Sequence, residues 1–173
     1  MNEVLNCLET RRSVRKYLPK QIADAELNAI LEAGIYAPTA MGRQSPKIVV
    51  LQKPEDVAEL ERMNAAVLGN PDSHPFYGAP TVLVVLADAK AGTAVEDGSL
   101  VLGNLMNAAH ALGVGSCWIH RAREEFASDE GKALLKRWGI EGDWVGVGHC
   151  ILGYAASEAP APKPRKNDYV IYR

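Results

Sequence analysis

From about Val95 to Leu112 the chain predicts a helix that is apolar on nearly every side, through Leu100, Val101, Leu102, Leu105, Met106, Ala109 and Leu112. A helix of that kind has to be buried. A single domain of 173 residues, 47% of them hydrophobic, holds a sizeable core. Enclosing this helix completely calls for more, and the expectation is a second subunit packed against it. Gly98 and Gly103 would permit close backbone approach, and Gly113 closes the helix.

The remaining elements are placed around it. Thr81–Ala87 is an unbroken apolar run rich in β-branched residues, read as a strand buried on both faces. Ile48–Leu51, Ser116–Ile119 and Val147–Leu152 read as further strands. Val4, Leu5 and Leu8 make a short amphipathic helix that delivers Arg11 and Arg12 at its end. Asp24 is read as the cap of a second helix with Leu27, Ile30, Leu31 and Ile35 inward; Pro38 stops it and leaves Thr39–Gln44 in a loop. Pro54 opens a helix with Val57, Leu60, Met63 and Val67 inward, and another runs from Ser128 to Trp138 with Gly139 as its stop. Ala155–Lys166, with four alanines and three prolines, predicts an extended arm, and Tyr169–Tyr172 a strand-like end. Neither a repeat nor a second boundary is visible, so the expectation is one domain over 1–173, its arm beginning near 155. Alternating strands and helices would by themselves point to a parallel α/β sheet.

Charge excludes some partners. A net charge of −2 argues against a general nucleic-acid or membrane-surface binder, both of which need a wide basic field. No apolar run reaches the length of a membrane span. The start, Met1-Asn2-Glu3-Val4, lacks a signal-peptide pattern, and Cys7, Cys117 and Cys150 form no CxxC pair. The expectation is a cytoplasmic protein with reduced thiols and no metal.

The basic residues are instead local. Arg11, Arg12 and Arg15 surround Ser13, and Lys163-Pro164-Arg165-Lys166 lies near the other end of the chain. Guanidinium forks and a hydroxyl match the oxygen geometry of phosphate, so the two clusters together make a candidate pocket for a phosphorylated cofactor. Taken alone, the first cluster fits a solvated basic turn better.

The order RRSVRKY, APTAMGRQSPKIVVL, the apolar strand, NLMNAAHALGVGSCWI and a KPRK tail resembles the nitroreductase family of FMN-dependent oxidoreductases, from about Asn2 to Lys166. The resemblance implies an α+β fold, with a mixed, largely antiparallel sheet flanked by helices, assembled as a homodimer. It implies FMN as cofactor, NADH or NADPH as reductant, and a small electron-poor acceptor such as a nitroaromatic or quinone, reduced by ping-pong turnover. Arg11, Arg12, Ser13 and Arg15 would then hold the FMN phosphate, the ribityl chain and the polar edge of the ring. Lys163 and Arg165 would be a second pair of phosphate ligands. Pro38, Thr39, Ala40, Gly42 and Gln44 belong to a loop that reaches the flavin bound mainly by the other subunit. Trp118, Ile119, His120 and Arg121 would lie along the ring and offer backbone N–H groups near its N5. The cofactor carries the hydride chemistry and the protein supplies binding and electrostatics, so no proton-donating side chain is nominated.

Three departures from the family pattern stand out. Gly42 replaces a frequent asparagine, Ser45-Pro46 replaces a Pro-Trp pair, and His120-Arg121 stands where many members carry glycines. Two bulky polar residues at the last position would narrow the substrate side or reach towards a charged substrate. Other readings stay open. They are an FMN-binding protein without turnover, another flavin reaction such as dehalogenation or flavin fragmentation, and a thiol enzyme using Cys117 or Cys150 with His120 or His149. His110 and His149 read as core or interface histidines, Cys117 and Cys150 as small buried apolar residues, and Trp118 as packing or flavin contact. His74, Phe76 and Tyr77 would roof the flavin or simply anchor a loop.

Overall fold

Every residue of Thr81–Asp88 (β2) up to Ala87 is buried, and its side chains alternate between two separate cores. Val82, Val84 and Leu86 face one side, Leu83, Val85 and Ala87 the other, as the period of two requires. The computed structural model describes residues 2–173. Pro46–Leu51 (β1), β2, Gly115–Ile119 (β3) and Trp144–Gly153 (β4) form a four-stranded sheet in the order β1-β2-β4-β3, with every pairing antiparallel. The only parallel pairing recorded among the described residues is a single bridge between Ser13 and Ser116. The sheet is therefore antiparallel rather than the parallel one that alternation alone predicted.

Helices cover both faces. Asp24–Ile35 (α2) and Ala94–Ala111 (α4) pack on one, through Leu27, Ile30, Val101, Leu102 and Leu105. Pro54–Leu68 (α3), Ala122–Ala127 (α5) and Asp129–Arg137 (α6) pack on the other, through Leu60, Met63, Phe126 and Leu134. Glu3–Thr10 (α1) lies outside these layers with no buried residue of its own. Gly98 lets α4 approach β4 closely, since a Cβ there would meet Val147 Cγ2 at 2.5 Å. Gly103, by contrast, faces open space within the chain.

As expected, helix α4 is not enclosed by its own chain: Leu102 and Leu105 are fully buried, but Leu100 is 48% and Leu112, just past its end, 44% exposed. Several other expectations are corrected. Ile35 and Val67 also face outward, each standing in the last turn of its helix. Asp24 is the first helical residue rather than the cap. The Ala23 N–H that precedes it is held by Glu26 Oε2 at 2.9 Å, half of a capping box. The predicted Ser128–Trp138 helix is α6 with Ser128 as its cap, whose hydroxyl accepts the Gly131 N–H at 3.0 Å. Helix α5 just before it was not anticipated. Tyr169–Tyr172 is not a strand, and its side chains stand in solvent.

Candidate functional site

The basic segment is fixed to the sheet immediately after α1. The Arg11 N–H closes the helix on Cys7 O, and Val14 N–H donates to Ser116 O at 2.9 Å, laying Ser13 beside the start of β3. Tyr17 locks the other end, donating from its hydroxyl to Val14 O at 2.8 Å while its backbone bridges Ala155. Burial pushes the Tyr17 phenol pKa up, so it stays a neutral donor. The Arg12 guanidinium bends back onto the carbonyls of Glu9 and Arg11 at 2.8 and 2.7 Å, holding the peptide of Arg11 in place.

Arg11 Nη1 in this segment and Ser116 Oγ on β3 are each buried without a partner. An unmatched buried donor is costly and uncommon in a folded chain. Ser116 is itself half of the Ser13–Ser116 bridge and Arg11 lies two residues before Ser13, and an anionic oxygen is an acceptor that either donor could take. These residues fit a phosphate group. Sequence reasoning missed Ser116. The available signal was strand parity: it lies two residues before Trp118 and shares its face, while Cys117 and Ile119 fill the opposite core.

His110 stands beside the cluster, its Nε2 2.9 Å from Thr10 Oγ1. Burial, then the charges of Arg11 and Arg12, hold its pKa below the ordinary histidine value. The arm begins on the same side. Ala156 N–H donates to Lys16 O at 2.9 Å, and Ser157–Pro160 faces Ser13–Lys16 across a cleft of about 220 Å³. Lys163 and Arg165 follow on the exposed arm, and Arg15 is exposed as well. Tyr169, Ile171 and Tyr172, in the segment expected to be strand-like, are 81%, 66% and 89% exposed.

The Pro38–Gln44 loop is held from beneath by a residue not singled out in sequence. Asp97 on α4, only 3% exposed, accepts Ala40 N–H at 3.0 Å, Ser45 Oγ–H at 3.0 Å and Thr93 Oγ1–H at 3.2 Å. Thr39 Oγ1 accepts the Gln44 N–H at 2.9 Å. Met41, Gly42 and Gln44 all have positive φ, so the loop is a tight left-handed excursion with Met41 79% exposed. Gly42, at φ +63°, suits that backbone but brings no side chain.

At the far end of β3, Trp118 is half-buried against the α4 side, over Gly148, where a Cβ would lie 2.6 Å from its Nε1. Its packing is established by this contact. Beyond it, Asn64 of α3, fully buried, makes two bonds. Its Nδ2 donates to His120 O at 2.8 Å, and its Oδ1 accepts Arg121 Nε–H at 2.9 Å. Arg121 adopts φ +81°, a conformation that favours glycine.

The remaining candidates are structural. His149 Nε2 lies 2.5 Å from Glu125 Oε2, both side chains fully buried between the rings of Phe76 and Phe126. Phe76 is thus a core residue rather than a roof, and its N–H is held by Glu61 Oε1 at 2.8 Å; His74 and Tyr77 are exposed. A thiol nucleophile is not assembled. Cys117 and Cys150 are buried, burial pushes the Cys150 thiol pKa up, and His149 is committed to Glu125. Among the described residues no group of three His, Cys, Asp or Glu side chains has metal-site geometry, and no helix is long and apolar enough to cross a membrane.

Comparison with known proteins gives the same frame. A model of the nitroreductase family matches residues 8–76 and 70–154. A relative from Archaeoglobus fulgidus, provisionally named an NADH dehydrogenase/NAD(P)H nitroreductase, is 32% identical over 91% of this chain and 88% of its own length. The crystal structure of a Bacteroides fragilis nitroreductase with bound FMN superposes with a TM-score of 0.91 at 32% identity, covering 100% of both chains. One from Desulfitobacterium hafniense, also with bound FMN, gives 0.89 at 29% identity, covering 100% of this chain and 99% of the other.

Proposed function

We propose that this chain, which belongs to the nitroreductase family, binds FMN and transfers hydride from NADH or NADPH to a small electron-poor acceptor such as a nitroaromatic or quinone. The observation that carries the reading is that Arg11 Nη1 and Ser116 Oγ are both buried without a partner, on the two segments that the Ser13–Ser116 bridge joins. Bound FMN supplies a ring that accepts a hydride from one substrate and returns it to the next. Arg11, Arg12, Ser13 and Arg15 hold its phosphate end, with Lys163 and Arg165 closing from the arm, because a dianion needs several charge-assisted donors to replace its water. Trp118, Ile119, His120 and Arg121 line the ring end, and Asn64 fixes the backbone there by its bond to His120 O. Reductant and acceptor occupy the same open face in turn, which gives ping-pong kinetics.

The reading includes a homodimer in the cytoplasm. Val4, Leu5, Leu8, Tyr36 and Leu100 are all about half exposed or more, apolar surface that this chain leaves uncovered. A second copy covers them, receives the Tyr169–Tyr172 end of the arm, and presents its Pro38–Gln44 loop to the neighbouring flavin. The three cysteines stand as free thiols, which suits a reducing compartment.

An absorbance spectrum of the purified protein tests the core of this reading. A flavin spectrum that bleaches on anaerobic addition of NADH or NADPH, and recovers with 4-nitrobenzyl alcohol, is expected. A colourless protein that takes up no added FMN would overturn it. A flavin spectrum that no nicotinamide bleaches would leave a passive binder.

A further inference from the structure

Arg121 combines three properties that its place in the fold does not require. It occupies a left-handed backbone conformation, φ +81°, that an unsubstituted glycine adopts freely. Its guanidinium is nonetheless held in one orientation by a fully buried residue, through Nε–H to Asn64 Oδ1 at 2.9 Å. And it carries no counter-ion: among the described residues Arg62 and Arg137, on the helices of the same layer, each pair with a glutamate, and Arg121 pairs with none.

The bond through Nε leaves the two terminal amino groups unused, and they form the edge of the guanidinium that takes a carboxylate with two parallel bonds. The position separates this charge from the phosphate end. Arg121 is five residues beyond Ser116, a span of about 16 Å along extended chain. A cation so placed contributes little to holding the phosphate, and on the proposed function it stands beside the ring end instead.

We infer that Arg121 is a specificity-determining residue that selects electron acceptors bearing a carboxylate, which its terminal amino groups bind while Asn64 holds it in place. The inference rests on the proposed function and names the class of acceptor at that same site. The anionic alternative, a phosphate of the reductant, is separated by the test.

Wild type, R121G and R121K are compared with 4-nitrobenzoate and 4-nitrobenzyl alcohol, which differ in the charged group. Glycine suits the backbone at this position, and lysine keeps the charge without the fork. The expected result is a fall of tenfold or more in the ratio of kcat/KM for 4-nitrobenzoate over 4-nitrobenzyl alcohol in R121G, carried by KM, with R121K intermediate. Because a ratio is read, any change common to both acceptors cancels, so a purely structural role leaves it unmoved. Calorimetric titration of the oxidised holoprotein with benzoate gives a readout without turnover, and R121G weakens that binding by a similar factor. An unchanged ratio with unchanged benzoate affinity overturns the inference and leaves the functional reading standing. So does a tenfold loss in flavin reduction by NADH or NADPH with the acceptor ratio intact, which places the contact on the reductant. A wild-type protein that fails to reduce 4-nitrobenzyl alcohol overturns the functional reading itself, and this inference with it.

Discussion

The carboxylate of Asp97, inside the first turn of α4, accepts the backbone N–H of Ala40, a residue on the loop ahead of β1, at 3.0 Å. The two are 57 residues apart in sequence, and their bond ties the left-handed Met41–Gln44 excursion to the most deeply packed helix. Ser45 and Thr93 hydroxyls complete the coordination of the same carboxylate. The loop is therefore a rigid presentation of Thr39–Gln44 rather than a slack connection.

Removing that anchor has a predictable result. D97A leaves buried donors unmatched and is expected to lower stability by about 2–4 kcal/mol, since hydrogen bonds to a charged group contribute about 1.5–3 kcal/mol each and do not add fully. D97N keeps one acceptor oxygen and loses less. Urea denaturation gives the magnitude, and limited trypsin digestion gives the location, with faster cleavage after the exposed Arg43. Equal digestion of D97A and wild type at that site would dissociate Asp97 from the loop.

The phosphate end makes opposite demands on stability and affinity. R11A removes a charge-assisted contact of about 1.5–3 kcal/mol and is expected to weaken FMN binding roughly ten- to a hundredfold. S116A deletes a buried hydroxyl that has no partner in the apoprotein. Its apoprotein should melt at or above the wild-type temperature while its FMN affinity falls, by about 1 kcal/mol for a neutral hydrogen bond. Fluorescence titration with FMN and apoprotein melting curves check the two halves. A destabilised S116A apoprotein with normal affinity would mean that the hydroxyl serves the fold.

Much of this architecture was legible because one-dimensional pattern dictated it. Val82–Ala87 is buried on both faces and apolar at every position, only Thr81 at its start being polar and satisfied by Gln21 and Gln52, and α4 shows its 18-residue length as directly. The antiparallel order came only from the family resemblance, since alternation of elements does not encode strand direction. Helix α5 escaped because six residues carry less than two turns of periodicity. Asp97, Asn64 and Ser116 escaped for a different reason. Each draws its role from a partner far off in the chain, Ala40, Arg121 and the Ser13 segment, and a polar residue in an apolar stretch does not announce which segment it will meet. Glu125 and His149 make the same point in the core, joined across 24 residues with no trace of the pairing in their spacing.

Acidification should act on the phosphate site through His110. Its pKa is depressed in the folded state by burial and by Arg11 and Arg12, so the unfolded chain binds the extra proton more readily. Stability then rises with pH through the window that ends at the ordinary histidine value of about 6.5, and is lost as pH falls below it. Melting temperatures of the apoprotein from pH 5 to 8 should show this slope, and H110Q should flatten it. Bound phosphate offsets the two arginine charges, so FMN should reduce the slope in the wild type. An H110Q profile parallel to wild type would assign the acid sensitivity elsewhere.

The arm carries two functions that mutation should separate. Its root is fixed to its own chain, with Ala156 N–H on Lys16 O and Ser157–Pro160 facing Ser13–Lys16. Lys163 lies only three residues beyond Pro160, about 9 Å of extended Pro-rich chain, so its ammonium remains within reach of its own Arg11 cluster. Tyr169, Ile171 and Tyr172 are exposed and have nothing of their own chain to cover, which fits a partner's surface. K163A/R165A should therefore weaken FMN binding tenfold or more without changing sedimentation, whereas deletion of 167–173 should weaken the dimer first. Mixed dimers decide whose site the lysine and arginine serve. Co-expressed R11A and K163A/R165A chains contain one damaged cluster in each site if the arm acts on its own chain, and flavin occupancy is low. If the arm acts on the partner, one site in each mixed dimer is intact, and occupancy recovers to half. Recovery to half would reverse the assignment made from Ala156 and Lys16 while keeping the two basic residues as phosphate ligands. Full occupancy in the K163A/R165A homodimer would remove them from the site.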